Sequence, residues 1–224
     1  MSKASIVVDF AYVSPHGSGR KRGHRHLRAK LKYLQYRDDR HGHIRQGRAD
    51  ARWRDHGLGR SYRAIQDACG ALQSKHVLAW TWVISPAPDL MALVPDHLRR
   101  DLVIDLTERV VESYYVARGM DIPEYAFVVH DRLARASSGE SPGLQHLHTH
   151  VILPGTAPTL EGRQPVYNNK DKGHDRLVRA VASQHFEAVL DAVVGERWRE
   201  LRREPEVVPL PDPNDLEVQF PRER

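Results

Sequence analysis

His146, His148 and His150 alternate with Leu147 and Thr149 and lead directly into the aliphatic run Val151-Ile152-Leu153. Side chains on a strand alternate between its faces, so the three imidazoles project to one side and Leu147, Thr149 and Val151 to the other. Imidazole is the commonest protein ligand for metal ions, and a row of them on an otherwise core-like strand points to a metal. A second hydrophobic run, Pro123 to Val129, ends at His130. If the two runs are neighbouring strands, His130 can stand beside the row. Three protein ligands leave coordination positions open for substrate, the mark of a catalytic rather than a structural site. Alternate strand residues lie roughly 6.7 Å apart, so His146 and His150 are separated by about 13 Å. With metal–nitrogen bonds of about 2 Å, neighbouring members of the row can chelate one ion and the outer two cannot. Spacing alone leaves both His146/His148 and His148/His150 open.

These residues need elements to hold them. Ser5–Val13 reads as a first strand. A helix follows from about His26 to Arg37, with Leu27, Leu31 and Leu34 at helical spacing. Arg37–Gly59 is polar and reads as a long loop. Ser61 caps a helix running to about Ser74. His76–Ser85 is a strand apolar on both faces, which suggests a central position, and Pro86 and Pro88 end it. Asp96–Arg118 is a long helix closed by Gly119. Then come the strand Pro123–His130, a connection over Asp131–Leu144, the histidine strand ending at Pro154-Gly155, a short fifth strand over Arg163–Tyr167 and a helix over Lys172–Trp198. This order gives an α+β fold, a central antiparallel sheet flanked by helices. Residues 1–200 form the one domain and 201–224, rich in proline, an extended or disordered tail.

The chain has 224 residues and a formal net charge of +5, which favours an anionic partner, nucleic acid first. Its one cysteine, Cys69, excludes an intramolecular disulfide and a cysteine-built zinc site. No stretch has the length of a membrane span and the N-terminus lacks the apolar core of a secretory signal, so the expected location is the cytoplasm.

Phe127-Val128-Val129-His130-Asp131, a polar connection, and Leu147-His148-Thr149-His150-Val151-Ile152-Leu153 together resemble the metal-binding segment of relaxases of the HUH endonuclease superfamily, which nick plasmid and integrative-element DNA. Val83-Ile84-Ser85-Pro86 with its following helix, and Leu31-Lys32-Tyr33-Leu34-Gln35-Tyr36-Arg37, resemble their middle strand and their tyrosine-bearing helix. The resemblance implies an RNA-recognition-motif-like palm with His130, His148 and His150 as ligands of a divalent ion, Mg or Mn before Zn or Ni. His146 is left as an extra ligand candidate. It also implies that Tyr33, with Tyr36 as runner-up, attacks a phosphate of single-stranded DNA at a nick site and becomes linked to the 5′ phosphate. Free tyrosine has a pKa near 10, so this attack needs help from the metal.

Around Tyr33, the cations Arg20, Lys21, Arg22, Arg25, Arg28, Lys30 and Lys32 would neutralise phosphates, and Trp53 between Arg52 and Arg54 would stack on a base or simply anchor the loop. Asp131 points to the opposite face if its strand continues, and would orient a ligand histidine from there or cap the following loop. Two competing readings are an HUH replication initiator or transposase and a non-catalytic DNA-binding protein of the same fold. Initiators carry their tyrosine on a helix after the histidines, and Lys172–Trp198 contains no tyrosine. At this length there is no room for an appended helicase or primase, so separate accessory and coupling proteins are expected.

Overall fold

The structure is a computed structural model and describes residues 4–16, 23–37, 52–134, 143–168 and 172–202. Its centre is a five-stranded sheet in which every neighbouring pair is antiparallel. The strands are β1 (Ile6–Val13), β2 (Arg54–His56), β3 (Ala79–Pro86), β4 (Tyr125–Leu133) and β5 (Gln145–Pro154), in the spatial order β1-β3-β5-β4-β2. The histidine strand β5 is therefore the middle strand. The helices are α1 (His24–Tyr36), α2 (Tyr62–Ala71), the single turn α3 (Pro88–Met91), α4 (Asp96–Ala117) and α5 (Lys172–Val194), followed by a 3-10 turn over Glu196–Arg202.

Alternation along the strands sends two sets of side chains to two cores. Trp80, Trp82 and Ile84 of β3, Tyr125, Phe127 and Val129 of β4, and Leu147, Val151 and Leu153 of β5 pack with residues of α4 and α5. Ala126 and Val128 of β4 and Ile152 of β5 pack on the other side with Leu27, Leu31 and Leu34 of α1 and Ile65 and Cys69 of α2. The leucine stripe of α1 thus buries as its spacing predicts. Ser61 caps α2, its hydroxyl accepting from the Ala64 amide at 3.3 Å. Gly155 is required at the end of β5, because a Cβ there would lie 2.1 Å from the Val77 carbonyl oxygen.

Several expected boundaries move. Arg37–Gly59 is not all loop: residues 38–51 lie outside the described residues, but Arg54–His56 forms the edge strand β2, and Trp53 and Leu58 are buried. The polar composition of this segment hid a strand that carries only three residues. The strand expected over Arg163–Tyr167 is β7 (Gly162–Pro165), which pairs with β6 (Thr156–Thr159) in a separate two-stranded hairpin rather than joining the main sheet. The last helix stops at Val194, where Gly195 takes φ 78°, a left-handed conformation suited to glycine. β4 runs on to Leu133, past the expected end at His130. The tail beyond residue 202 lies outside the described residues.

Candidate metal centre

Pairing of β4 with β5 sets His130 directly opposite His148 and Val128 opposite His150. All three histidines then occupy the α1/α2 face. The ring centroids of His130 and His148 are 5.6 Å apart, those of His130 and His150 4.8 Å, and those of His148 and His150 5.1 Å. One ring nitrogen from each of His130, His148 and His150 falls within 4.8 Å of the others. Rotations of the rings by modest angles close this to the roughly 3 Å separation that bonds of about 2 Å impose. His146 is not a member of this group. It sits opposite Arg132, and its Nε2 is 2.5 Å from the Ser85 hydroxyl on β3.

The chemistry of the three donors suits a cation. His130 is 1% exposed and His148 8%. Burial, reinforced by the charge of His130, pushes the His148 imidazole down to about 3 and that of His150 to about 2. Both rings are neutral at physiological pH, the form that binds metal. Nδ1 of His150 is buried without a hydrogen-bond partner among the described residues, a vacancy that an ion would fill. His148 directs Nδ1 to the carbonyl oxygen of His146 at 3.3 Å, which leaves its Nε2 for an ion. On the far face of β5, Thr149 meets the Thr107 hydroxyl of α4 at 2.9 Å, pinning the strand whose pleat aims the histidines.

His130 makes one further contact with a functional consequence. Its Nε2 is 3.0 Å from the Leu34 carbonyl oxygen in α1. A carbonyl only accepts, so Nε2 carries the proton and Nδ1 is the nitrogen that can meet an ion. The same bond ties a metal-ligating candidate to the residue after Tyr33. Gln35 strengthens this tie. Fully buried, it accepts through Oε1 from Trp53 Nε1 at 3.0 Å and from the Tyr62 amide at 2.7 Å. Arg52 donates to the carbonyl oxygens of Gln35, Arg37 and Val129, fastening the end of α1 to β4.

Tyr33 is 49% exposed, with the Arg37 guanidinium 4.8 Å from its ring centroid. At 3.6 residues per turn, Lys30, Tyr33 and Arg37 share one flank of α1. Lys30 and Arg37 both disfavour the charged form of His150, so positive charge on this flank is felt at the histidine cluster. Tyr36, one turn on from Tyr33, leans towards α2, its ring centroid 6.3 Å from that of Tyr62.

The expected DNA contacts divide. Arg25, Arg28, Lys32 and Arg54 are exposed and Lys30 is half-buried, whereas Arg20, Lys21 and Arg22 lie outside the described residues. Trp53 is 5% exposed and packs in the α1/α2 core, so its ring faces are not available to a base. Arg52 serves the main-chain bonds just described. In both, alternating charge and aromaticity suggested a solvent-facing loop, but the segment is an anchor. Asp131 lies where a continuing strand would put it. Because β4 continues through it, its side chain turns to the face opposite the histidines, where Gln145 Nε2 donates to it at 3.0 Å. Gln35 was missed by sequence reasoning, although a glutamine four residues after Leu31 on the apolar stripe was its signal.

One part of this face is uncovered. On β1, Ile6 and Val8 are buried against the α4/α5 core, while Val7, Asp9 and Ala11 between and beyond them are exposed. Asp9 pairs with Val83, and Val83 with His150. An open floor on β1 therefore leads through half-buried Val83 of β3 to the histidines.

No family model matches the chain, and no curated protein sequence matches it. Solved structures do resemble it. The conjugative relaxase TrwC in complex with oriT DNA, in its copper-bound structure, aligns with a TM-score of 0.50 at 11% identity over 88% of this chain and 72% of that one. The metal-bound structure of the same complex gives a TM-score of 0.49 at 11% identity over 83% of this chain and 70% of that one. At such identity the likeness is one of fold: an antiparallel sheet between helices, built on the plan of a conjugative relaxase.

Proposed function

We propose that this protein is a metal-dependent relaxase that nicks one DNA strand at a transfer origin during conjugative mobilisation. The observation that carries the reading is the buried His130/His148/His150 cluster, bonded through His130 to the tyrosine-bearing helix α1 on a relaxase fold. The TrwC structures of that fold are described as complexes with oriT DNA, some of them metal-bound.

Tyr33 is the nucleophile in this reading. Its hydroxyl oxygen forms a bond to the scissile phosphorus as the bond to the 3′ oxygen breaks. The phenolic proton leaves, and the products are a 5′-phosphotyrosine and a free 3′ hydroxyl. His130, His148 and His150 would hold a divalent ion, which when bound draws charge from the phosphate oxygens. Lys30 and Arg37 flank Tyr33 and supply positive charge to the phosphate and the developing phenolate. The Leu34–His130 bond and the Gln35–Trp53–Tyr62 contacts fix α1 so that Tyr33 and the ion-binding nitrogens keep one relative position. The open floor of β1 gives a single strand a path to the site. Separate DNA-processing and coupling proteins would complete transfer.

Trapping tests this directly. A pool of single-stranded oligonucleotides incubated with the protein and Mn²⁺ should leave a nucleotide adduct on Tyr33, located by peptide mass spectrometry. Tyr33→Phe should lower cleavage by about a thousandfold or more and still bind Mn²⁺. An adduct on Tyr36, or undiminished cleavage by Tyr33→Phe, would exclude Tyr33 as nucleophile. DNA binding with no cleavage by the wild type would leave a binding protein.

A further inference from the structure

A second row of α1, beside the one that carries Tyr33, holds a separate group of cations. Arg28, Lys32 and Tyr36 follow one another at four-residue spacing along it, and Tyr62 and Arg63 open α2 beside them. Arg63 Nε donates to the Tyr62 hydroxyl at 3.0 Å, and Arg28, one turn before Lys32, adds its positive charge on the same row of α1. The Lys32 ammonium lies 5.4 Å from the Tyr62 ring centroid and the Arg63 guanidinium 5.7 Å. Arg28, Lys32 and Arg63 are all exposed, and no carboxylate among the described residues pairs with any of them.

Three like charges gathered on one neutral hydroxyl repel one another, and nothing within the described residues offsets them. The hydrogen bond from Arg63, with the neighbouring positive charges behind it, lowers the Tyr62 phenol below its ordinary value. Tyr62 itself is held still, its backbone amide bonded to Gln35 and its ring packed in the α1/α2 core. Two guanidinium forks, an ammonium and a hydroxyl around a fixed point make a donor set for a tetrahedral oxyanion.

We propose that Arg28, Lys32, Arg63 and the Tyr62 hydroxyl bind a backbone phosphate of the single DNA strand, one that is not the phosphate cut at the metal centre. The proposal rests on the relaxase reading for the identity of the polyanion. Arg28 and Lys32 belong to the helix that presents Tyr33, turned about 100–140° from it around the helix axis. A strand held at both places would cross α1, which fixes the register of the strand relative to Tyr33. The cluster is therefore a positioning site, acting on which phosphate reaches the nucleophile.

The test uses the whole protein, with the triple variant Arg28→Gln/Lys32→Gln/Arg63→Gln and a single-stranded oligonucleotide. In the wild type, the slope of log affinity against log salt should exceed that of the triple variant by about 0.7, the value of one phosphate contact on a single strand. Affinity at low salt should fall about tenfold, and Mn²⁺ affinity should not change, which shows that the metal centre still folds. As a direct readout, protein labelled with 3-fluorotyrosine should show a shift of the Tyr62 resonance, assigned with Tyr62→Phe, when the oligonucleotide is added. Equal slopes with a silent Tyr62 resonance would overturn the site while leaving the metal-centre reading untouched. A shift with inorganic phosphate but none with the oligonucleotide would also overturn it, marking a site for a free anion. A lowered slope and a Tyr62 shift in a protein that never cleaves would uphold the phosphate site and sink the nickase reading.

Discussion

The two faces of β5 are made from one ten-residue strand and differ in every other respect. Leu147, Thr149, Val151 and Leu153 enter a core with Trp82, Tyr114, Tyr115, Phe127 and Phe186, all fully buried. Rings there meet edge-on, as Trp82 does with Tyr114 at 5.3 Å, or stacked, as it does with Tyr115 at 6.3 Å. His146, His148 and His150 enter the other face, where a smaller core leaves Val7, Asp9 and Ala11 of β1 exposed. Aromatic burial on one face supplies stability, which lets the other hold three desolvated imidazoles that contribute none of their own. The comparison teaches that the site is carried by a core that it does not help to build.

The largest effect should come from the core. Phe127→Ala removes a fully buried ring and should lower unfolding free energy by about 3–5 kcal/mol in urea titrations. His148→Ala, on the same sheet but the other face, should abolish tight Mn²⁺ binding in calorimetry and change stability in chelator by less than about 1 kcal/mol. A loss from His148→Ala as large as that from Phe127→Ala would break the contrast.

A smaller change should follow at the joint between the faces. Gln35→Leu leaves the Tyr62 amide and Trp53 Nε1 without their acceptor, at about 1–3 kcal/mol for each buried donor left unpaired. The loosened end of α1 should also slow cleavage more than it weakens DNA binding. Equal losses in both would remove the positioning role of this contact.

A further contrast is a pH slope. His148 and His150 titrate far below the roughly 6.5 of an unfolded histidine. As pH falls below 6.5 the unfolded chain takes up protons that the folded chain refuses, so metal-free stability declines towards pH 3, by at most about 1.4 kcal/mol per pH unit for each histidine. The double variant His148→Asn/His150→Asn should flatten that slope between pH 6.5 and 5 in chelator. An unchanged slope would show that other groups govern acid stability.

Local pattern explains what could be read early. The alternation of His146, His148 and His150 with apolar residues fixes their shared face because pleating is a property of one strand. The Leu27/Leu31/Leu34 stripe likewise fixes the buried side of α1, and with it the exposure of Tyr33. The resemblance added the expected fold and the selection of His130, His148 and His150 over His146. One feature was hidden, β2 inside a polar segment, and two were left open: whether Trp53 stacks on a base or anchors its loop, and whether the strand runs on through Asp131. In each, partners distant in sequence decide the environment, and Gln35, Gln145 and Phe127 are those partners.

The sequence alone determined a strand with three imidazoles on one side and a helix with a tyrosine beside a leucine stripe, since periods of 2 and 3.6 are written into neighbouring residues. Which imidazoles can share an ion was decided only by tertiary structure. Pairing of β4 with β5 puts His130 opposite His148 and near His150, and β3 gives His146 to Ser85. Register between strands depends on what each face packs against across the whole chain, so no local spacing could supply it.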